Sequence, residues 1–168
     1  MAEKISDGIE ASWLKIKTRG SQSLEVMTLF RPPKTDTDAD TCLLENIKEM
    51  SSRPDGVLMG EFNALSIRWD DLQTQCSKLS FDHRLLNSTL EALLTQHVFV
   101  PTRARGGQPA NCLDLVFTKD PDSIDEVHCF LHLVKVIMQY FHVIMVYSPC
   151  HLQKRKPGPI YGEETFAR

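Results

Sequence analysis

Four polar side chains stand where apolar runs end: Glu61 and Asn63 in VLMGEFN, Asp114 in CLDLVF and His142 in FHVIMV. A carboxylate and an imidazole are acid–base groups, and a carboxamide both donates and accepts hydrogen bonds. Val57, Leu58 and Met59 lie between Pro54-Asp55-Gly56 and Gly60, the pattern of a buried strand, so Glu61 and Asn63 occupy the point where the chain leaves the core. Other chemistry-bearing residues form no comparable set. Cys42, Cys76, Cys112, Cys129 and Cys150 lack C-x-x-C spacing, which supports neither a zinc site nor a disulfide framework. His83, His97, His128, His132 and His151 lack metal-ligand spacing, so no metal ligands are assigned from the spacing of these residues.

The elements that must position the four residues follow from periodicity. Ala11 to Lys17 and Ser23 to Phe30 read as two strands of a hairpin, the second stopped by Pro32-Pro33. Asp40 or Thr41 is expected to cap a helix bearing Leu43, Leu44, Ile47 and Met50 on one face. The strand at 57–59 follows, then a loop pinned by Ile67 and Trp69. A second helix is expected from Asp82, with Leu85, Leu86, Leu90, Leu93 and Leu94 as a core stripe. Val98 to Val100, Leu113 to Phe117, Ile124 to Leu133 and Val143 to Tyr147 complete the strands. This order is neither a strict β-α alternation nor pure β, and predicts a mixed α/β sandwich. A triplet, Val-Ile-Met, occurs at 136–138 and again at 143–145.

A chain of 168 residues, 42% hydrophobic and 24% charged, suits one domain. A net charge of -3 supplies no global field for nucleic acid, which leaves local patches: Arg103 and Arg105 in TRARGGQP, and Lys154 to Lys156. The charged N-terminus is unlike a signal peptide, and the apolar segment from Val134 to Tyr147 is interrupted by Lys135, Gln139 and His142. The expectation is an intracellular protein, nuclear or cytoplasmic, with no membrane partner.

Read in order, Phe30-Arg31-Pro32-Pro33, Gly60-Glu61-Phe62-Asn63, Pro101-Thr102-Arg103, Leu113-Asp114 and the late His142 resemble the endonuclease/exonuclease/phosphatase family. The version most similar is the endonuclease domain of non-LTR (LINE-type) retrotransposons, whose members show Tyr-Arg-Pro-Pro, Gly-Asp-Phe-Asn, Pro-Thr-Arg, Leu-Asp and Ser-Asp-His. The resemblance runs from about Trp13 to Ser148. It implies an α/β (α+β) fold, a partial four-layer sandwich of two mixed β-sheets flanked by helices, with a Mg2+-dependent phosphodiesterase site at one edge. It further implies that Glu61 activates water, that Asn63 donates to the phosphate, and that Asp114 orients a phosphate-contacting His142. Arg103 and Arg105 would lie near the DNA-facing edge. DNA is the implied partner, with a reverse-transcriptase domain in the parent element.

The chain departs from that pattern at the chemistry itself. Glu61 replaces the aspartate, Phe30 replaces the tyrosine, and Phe141 stands where the metal-binding aspartate of Ser-Asp-His belongs. No motif matches the principal metal-binding glutamate, and Glu10 reads as a surface carboxylate. The expected organisation is a domain at 1–148 lacking the family's N-terminal strands and a flexible tail at 149–168. The functional expectation is an endonuclease-like domain with impaired cleavage; the alternative is a non-catalytic remnant or nucleic-acid-binding module on the same fold.

Overall fold

The computed structural model describes residues 2–6, 8–17, 23–102, 112–130, 133–138 and 143–147. Along them run β1 (Ala2–Ser6), β2 (Ile9–Lys17), β3 (Ser23–Phe30), α1 (Thr37–Ser51), β4 (Gly56–Glu61), β5 (Ile67–Arg68), β6 (Gln73–Thr74), α2 (Phe81–Glu91), β7 (Thr95–Gln96), β8 (Asp114–Thr118), β9 (Glu126–Phe130), β10 (Leu133–Met138) and β11 (Val143–Tyr147). One sheet has the order β1-β2-β3-β4-β8-β7, a second β11-β10-β9, and β5 with β6 forms a small ribbon. The large sheet is mixed: β3 and β4 are parallel, the other pairs antiparallel. Parallel neighbours need a crossover, and α1 provides it.

The two faces of the large sheet bury different residues. Met27, Leu29, Leu58, Leu115 and Phe117 pack with Leu43, Leu44, Ile47 and Met50 of α1 and Leu85 and Leu86 of α2. Leu24, Val26, Val57, Met59 and Val116 form a separate cluster that meets Ile124, Val127 and Cys129 at β9. Helices, large sheet and small sheet are therefore stacked layers, as the sandwich expectation requires. A strand covered on both faces needs apolar residues on both, which is why VLM shows no alternation. No helix among the described residues is long and apolar enough to cross a membrane.

Several local expectations are corrected. Asp36, not Asp40 or Thr41, caps α1 by accepting from Ala39 N at 2.7 Å, and Asp40 is instead buried against Arg31. Ser80, not Asp82, caps α2; Asp82 accepts from the backbone N–H of Ser66 at 2.8 Å. Leu90 and Leu93 are 43% and 75% exposed, so the buried stripe of α2 ends at Leu86 and Thr89. The strand expected at 98–100 lies earlier, at β7, because the Gln96 carboxamide bonds both the N–H and the carbonyl of Val98 and takes those groups out of any ladder. The run expected as one strand from Ile124 to Leu133 divides into β9 and β10, which pair antiparallel. The two Val-Ile-Met triplets then face one another in the β10–β11 ladder, with Val136 opposite Met145 and Met138 opposite Val143. β1 was not anticipated, and it covers the β2 edge from Ala2 opposite Ser12 to Ser6 opposite Ile9.

Candidate functional site

Backbone geometry at the end of β4 sets the site. Gly60 has φ +153°, and a Cβ there would run into the carbonyl of Leu29, so only glycine lets β3 and β4 approach this closely. Two residues past it, Asn63 turns the chain at φ 51°, a left-handed conformation that asparagine tolerates better than most residues. Phe62, between Glu61 and Asn63, is fully buried with its ring edge-on to Phe117 at 5.6 Å, and Trp69 meets the same ring at 5.4 Å. The aromatic anchor fixes where the polar residues on either side emerge.

Arg31 fastens the end of β3 to this turn. Its backbone N–H donates to the Glu61 carbonyl at 2.8 Å, its guanidinium donates to the Phe62 carbonyl at 3.3 Å, and its own carbonyl accepts from Asn63 Nδ2 at 2.7 Å. The guanidinium is gripped by both carboxylate oxygens of Asp40, at 2.7 and 3.0 Å, and lies 3.7 Å from the centre of the Phe81 ring. Thr35 Oγ1 donates to the same carboxylate at 2.6 Å. Arg31 and Asp40 are both buried, and a two-pronged geometry is what makes such a pair tolerable away from water.

Strand register aligns the carboxylates. Glu61 is directly opposite Asp114, Phe30 is opposite Glu61, and Glu10 is opposite Phe30. One row across four strands thus reads Glu10, Phe30, Glu61, Asp114. Directly opposed side chains have Cβ atoms about 5 Å apart, which puts the Glu61 and Asp114 carboxylates within reach of one group. Glu61, Asn63 and Asp114 are 8%, 9% and 6% exposed. Asn63 Nδ2 also donates to Glu61 Oε1 at 3.0 Å. On the outer side Thr102 Oγ1 accepts from the backbone N–H groups of Leu113 and Asp114, at 3.0 and 3.1 Å, and so fixes where β8 begins.

Asp114 also acts on the thiols beside it. Burial pushes the Cys112 thiol up to about 12, with Cys129 and then Asp114 adding to the effect; burial and then Asp114 raise Cys129 as well. Both sulfurs stay protonated at neutral pH and are poor nucleophiles. Cys129 is on β9, so the Asp114 carboxylate acts electrostatically on the second sheet.

The structure brings together three of the anticipated site residues, Glu61, Asn63 and Asp114. His142, Arg103 and Arg105 lie outside the described residues, as does Phe141, and so does the anticipated Asp114–His142 contact. Arg31, Asp40 and Thr102 were not singled out as individual site residues. Arg31 and Thr102 sit inside the Phe-Arg-Pro-Pro and Pro-Thr-Arg motifs, which was the available signal; Asp40 had none beyond a capping pattern. Glu10 is exposed, as a surface carboxylate should be, yet it belongs to the row, about 10 Å and two strand spacings from Glu61. Magnesium requires an octahedral shell of oxygen ligands. Among the described residues no group of three or more His, Cys, Asp or Glu side chains converges on a metal position; Glu61 and Asp114 are the paired carboxylates of the row.

Known proteins bear on this arrangement in two ways. The family described as endonuclease-reverse transcriptase matches residues 24–135, about two thirds of the chain. The endonuclease domain of TRAS1, a telomere-specific non-LTR retrotransposon, is similar in structure, with a TM-score of 0.53 and 21% sequence identity over 81% of this chain and 59% of that one. The chain therefore spans less than two thirds of that solved domain. Among curated proteins none matches.

Proposed function

Because the chain belongs to the endonuclease-reverse transcriptase family, we propose that it is a retrotransposon-derived endonuclease-like domain, built on a scaffold for metal-dependent hydrolysis of a DNA phosphodiester, in which that reaction is impaired. In this reading Glu61 is the base that faces the attacking water, Asn63 the phosphate contact and Asp114 the partner of His142. Arg103 and Arg105 face DNA, and a reverse-transcriptase domain accompanies the site in the parent element.

The observation that supports the reading is the row. Glu61 and Asp114 stand side by side at the strand ends, where the family resemblance puts acid–base chemistry, and the neighbour of Glu61 is the phenyl ring of Phe30. A phenyl ring offers no donor to a phosphoryl oxygen, and losing one preorganised donor of this kind typically costs about 100- to 1,000-fold in rate. Phe141, in place of the metal-binding aspartate of the resembling family, compounds the loss, because electrostatic stabilisation of the leaving oxygen is what the ion supplies in such sites.

The test is nicking of a supercoiled plasmid with magnesium or manganese, using His142→Ala as the control. The expected outcome is no nicking above that control. Robust nicking abolished by His142→Ala would show that the site is intact. A second reading, a binding module without catalysis, is favoured by Phe99 and Val100, which are 65% and 53% exposed on the segment that Thr102 fixes beside Asp114. An exposed aromatic there is placed to stack on a nucleobase. DNA binding that occurs without nicking and is weakened by Phe99→Ala supports that second reading.

A further inference from the structure

The amide of Asn63 carries two donor hydrogens, and both are taken: Nδ2 lies 2.7 Å from the Arg31 carbonyl and 3.0 Å from Glu61 Oε1. Each neighbour can only accept, so the nitrogen and not Oδ1 must face them. A phosphoryl oxygen is likewise only an acceptor and would compete for the same two hydrogens. The two present occupants differ in kind. The Arg31 carbonyl belongs to a backbone pinned by the Arg31 N–H bond to Glu61, whereas the Glu61 carboxylate hangs on a side chain with rotatable bonds.

We infer that Glu61 is an internal substitute for the DNA phosphate: its carboxylate occupies the Asn63 donor and sets the affinity of the site for a phosphodiester. The inference rests on the reading of the chain as a DNA-facing domain. Glu61 and Asn63 are both buried, so water competes little for the amide, and a charge-assisted bond in such surroundings is strong. A phosphate reaches Asn63 only after Glu61 turns away, and its negative charge meets that of Glu61 on the way. The extra methylene of glutamate, compared with the aspartate of the resembling family, is what changes the reach of the carboxylate at this position.

Fluorescence anisotropy of a labelled DNA duplex in magnesium-free buffer tests this directly. Glu61→Ala should tighten binding about tenfold, the scale of one hydrogen bond to a charged group. In an Asn63→Gly background, which tolerates the left-handed backbone, Glu61→Ala should gain much less. Glu61→Gln keeps an acceptor oxygen, and Glu10→Gln removes a charge from the same row without touching Asn63; both should gain less than Glu61→Ala. Equal gains in the two backgrounds, or a Glu61→Gln gain matching that of Glu61→Ala, would reduce the effect to simple charge removal and overturn the inference. Should the alanine variant fail to fold, Glu61→Asp decides, since a shorter acid releases the amide while keeping the charge; unchanged binding refutes the idea. If no variant binds DNA at all, the DNA-facing reading itself fails, whereas binding without coupling between Glu61 and Asn63 removes only this inference.

Discussion

The parallel strands β3 and β4 are held at each end by an arginine, and the two arginines work in opposite surroundings. At the far end of the pair, beside the candidate site, Arg31 is buried between Asp40 and Phe81. At the near end Arg53 pairs with Glu25 and with Glu49, lies 5.0 Å from the Trp13 ring centre, and has a side chain 37% exposed. Lys15 joins Glu25 there at 3.0 Å. The inventories are nearly the same: one guanidinium, carboxylate partners, one aromatic face. Water makes the difference. A partner lost from the exposed cluster is replaced by solvent, while one lost from the buried pair leaves a charge stranded in a poorly polarisable interior. The near end can therefore drift at little cost, and the far end holds the Phe62 carbonyl and Asn63 in one geometry.

The sharpest way to break this contrast is Arg31→Ala. Removing one member of a buried pair typically costs about 3–5 kcal/mol, and the Phe62 carbonyl loses its donor as well. Urea denaturation should show that loss as a lowered midpoint, and the double replacement Arg31→Met with Asp40→Leu should recover much of it by removing both charges at once. A single-variant cost near that of a surface substitution would mean that Arg31 reaches water after all.

Buried pairing also explains which parts of the molecule were legible. β3 from Ser23 to Phe30 and β11 from Val143 to Tyr147 coincide with their expected spans, because an apolar run bounded by turn residues or prolines is a local signal. Glu61 and Asn63 were legible as candidate residues for the same reason: polar groups directly after an apolar run stand out. Asp40 was not. TDTDAD offers several residues able to cap a helix, and the choice of Asp36 is made by Arg31, which claims Asp40 from another element. Ser80 and Asp82 repeat the case, with Ser66 claiming Asp82. Leu90 and Leu93 keep helical spacing but are exposed, Leu93 lying past the end of α2 at φ 54°, whereas Leu94 beside it packs against the core as expected; periodicity cannot reveal where the helix stops. The row of Glu10, Phe30, Glu61 and Asp114 depends on register between strands distant in sequence, and no local pattern encodes it.

A third polar group, His97, is partly buried. The Thr118 hydroxyl donates to the Asp120 carbonyl at 2.7 Å, so it accepts from His97 Nε2–H, also at 2.7 Å. Burial lowers the His97 pKa below its ordinary 6.5, which keeps the folded form neutral. The unfolded chain then binds the extra proton first as pH falls. Stability contributed here is complete above about pH 6.5 and is lost progressively below it. Replacing His97 with glutamine should remove that part of the acid sensitivity while costing about 1 kcal/mol at pH 8 for the altered hydrogen bond. Urea midpoints at pH 8 and pH 5.5 check both statements, and an unchanged slope between them would show that His97 is not the responsible group.

The smallest effect should come from Arg53→Ala. Exposed ion pairs contribute about 0–1 kcal/mol, because the Coulomb gain in water is small and the entropy of holding long side chains offsets it. Arg53 has two pairs, to Glu25 and Glu49; when it is gone Glu49 remains exposed to water and Glu25 keeps Lys15. Its methylene stem also covers Trp13, a contribution that does not depend on charge. The two contributions separate by salt and by shape. Arg53→Met keeps the stem and should fall closer to the unmodified protein than Arg53→Ala, and the charge-dependent part should shrink further in 1 M salt, where screening reaches about 3 Å. A loss above about 2 kcal/mol that persists in high salt and appears in both variants would place Arg53 with Arg31 as a committed, desolvated anchor. The two ends of the β3–β4 pair would then differ in position but not in kind.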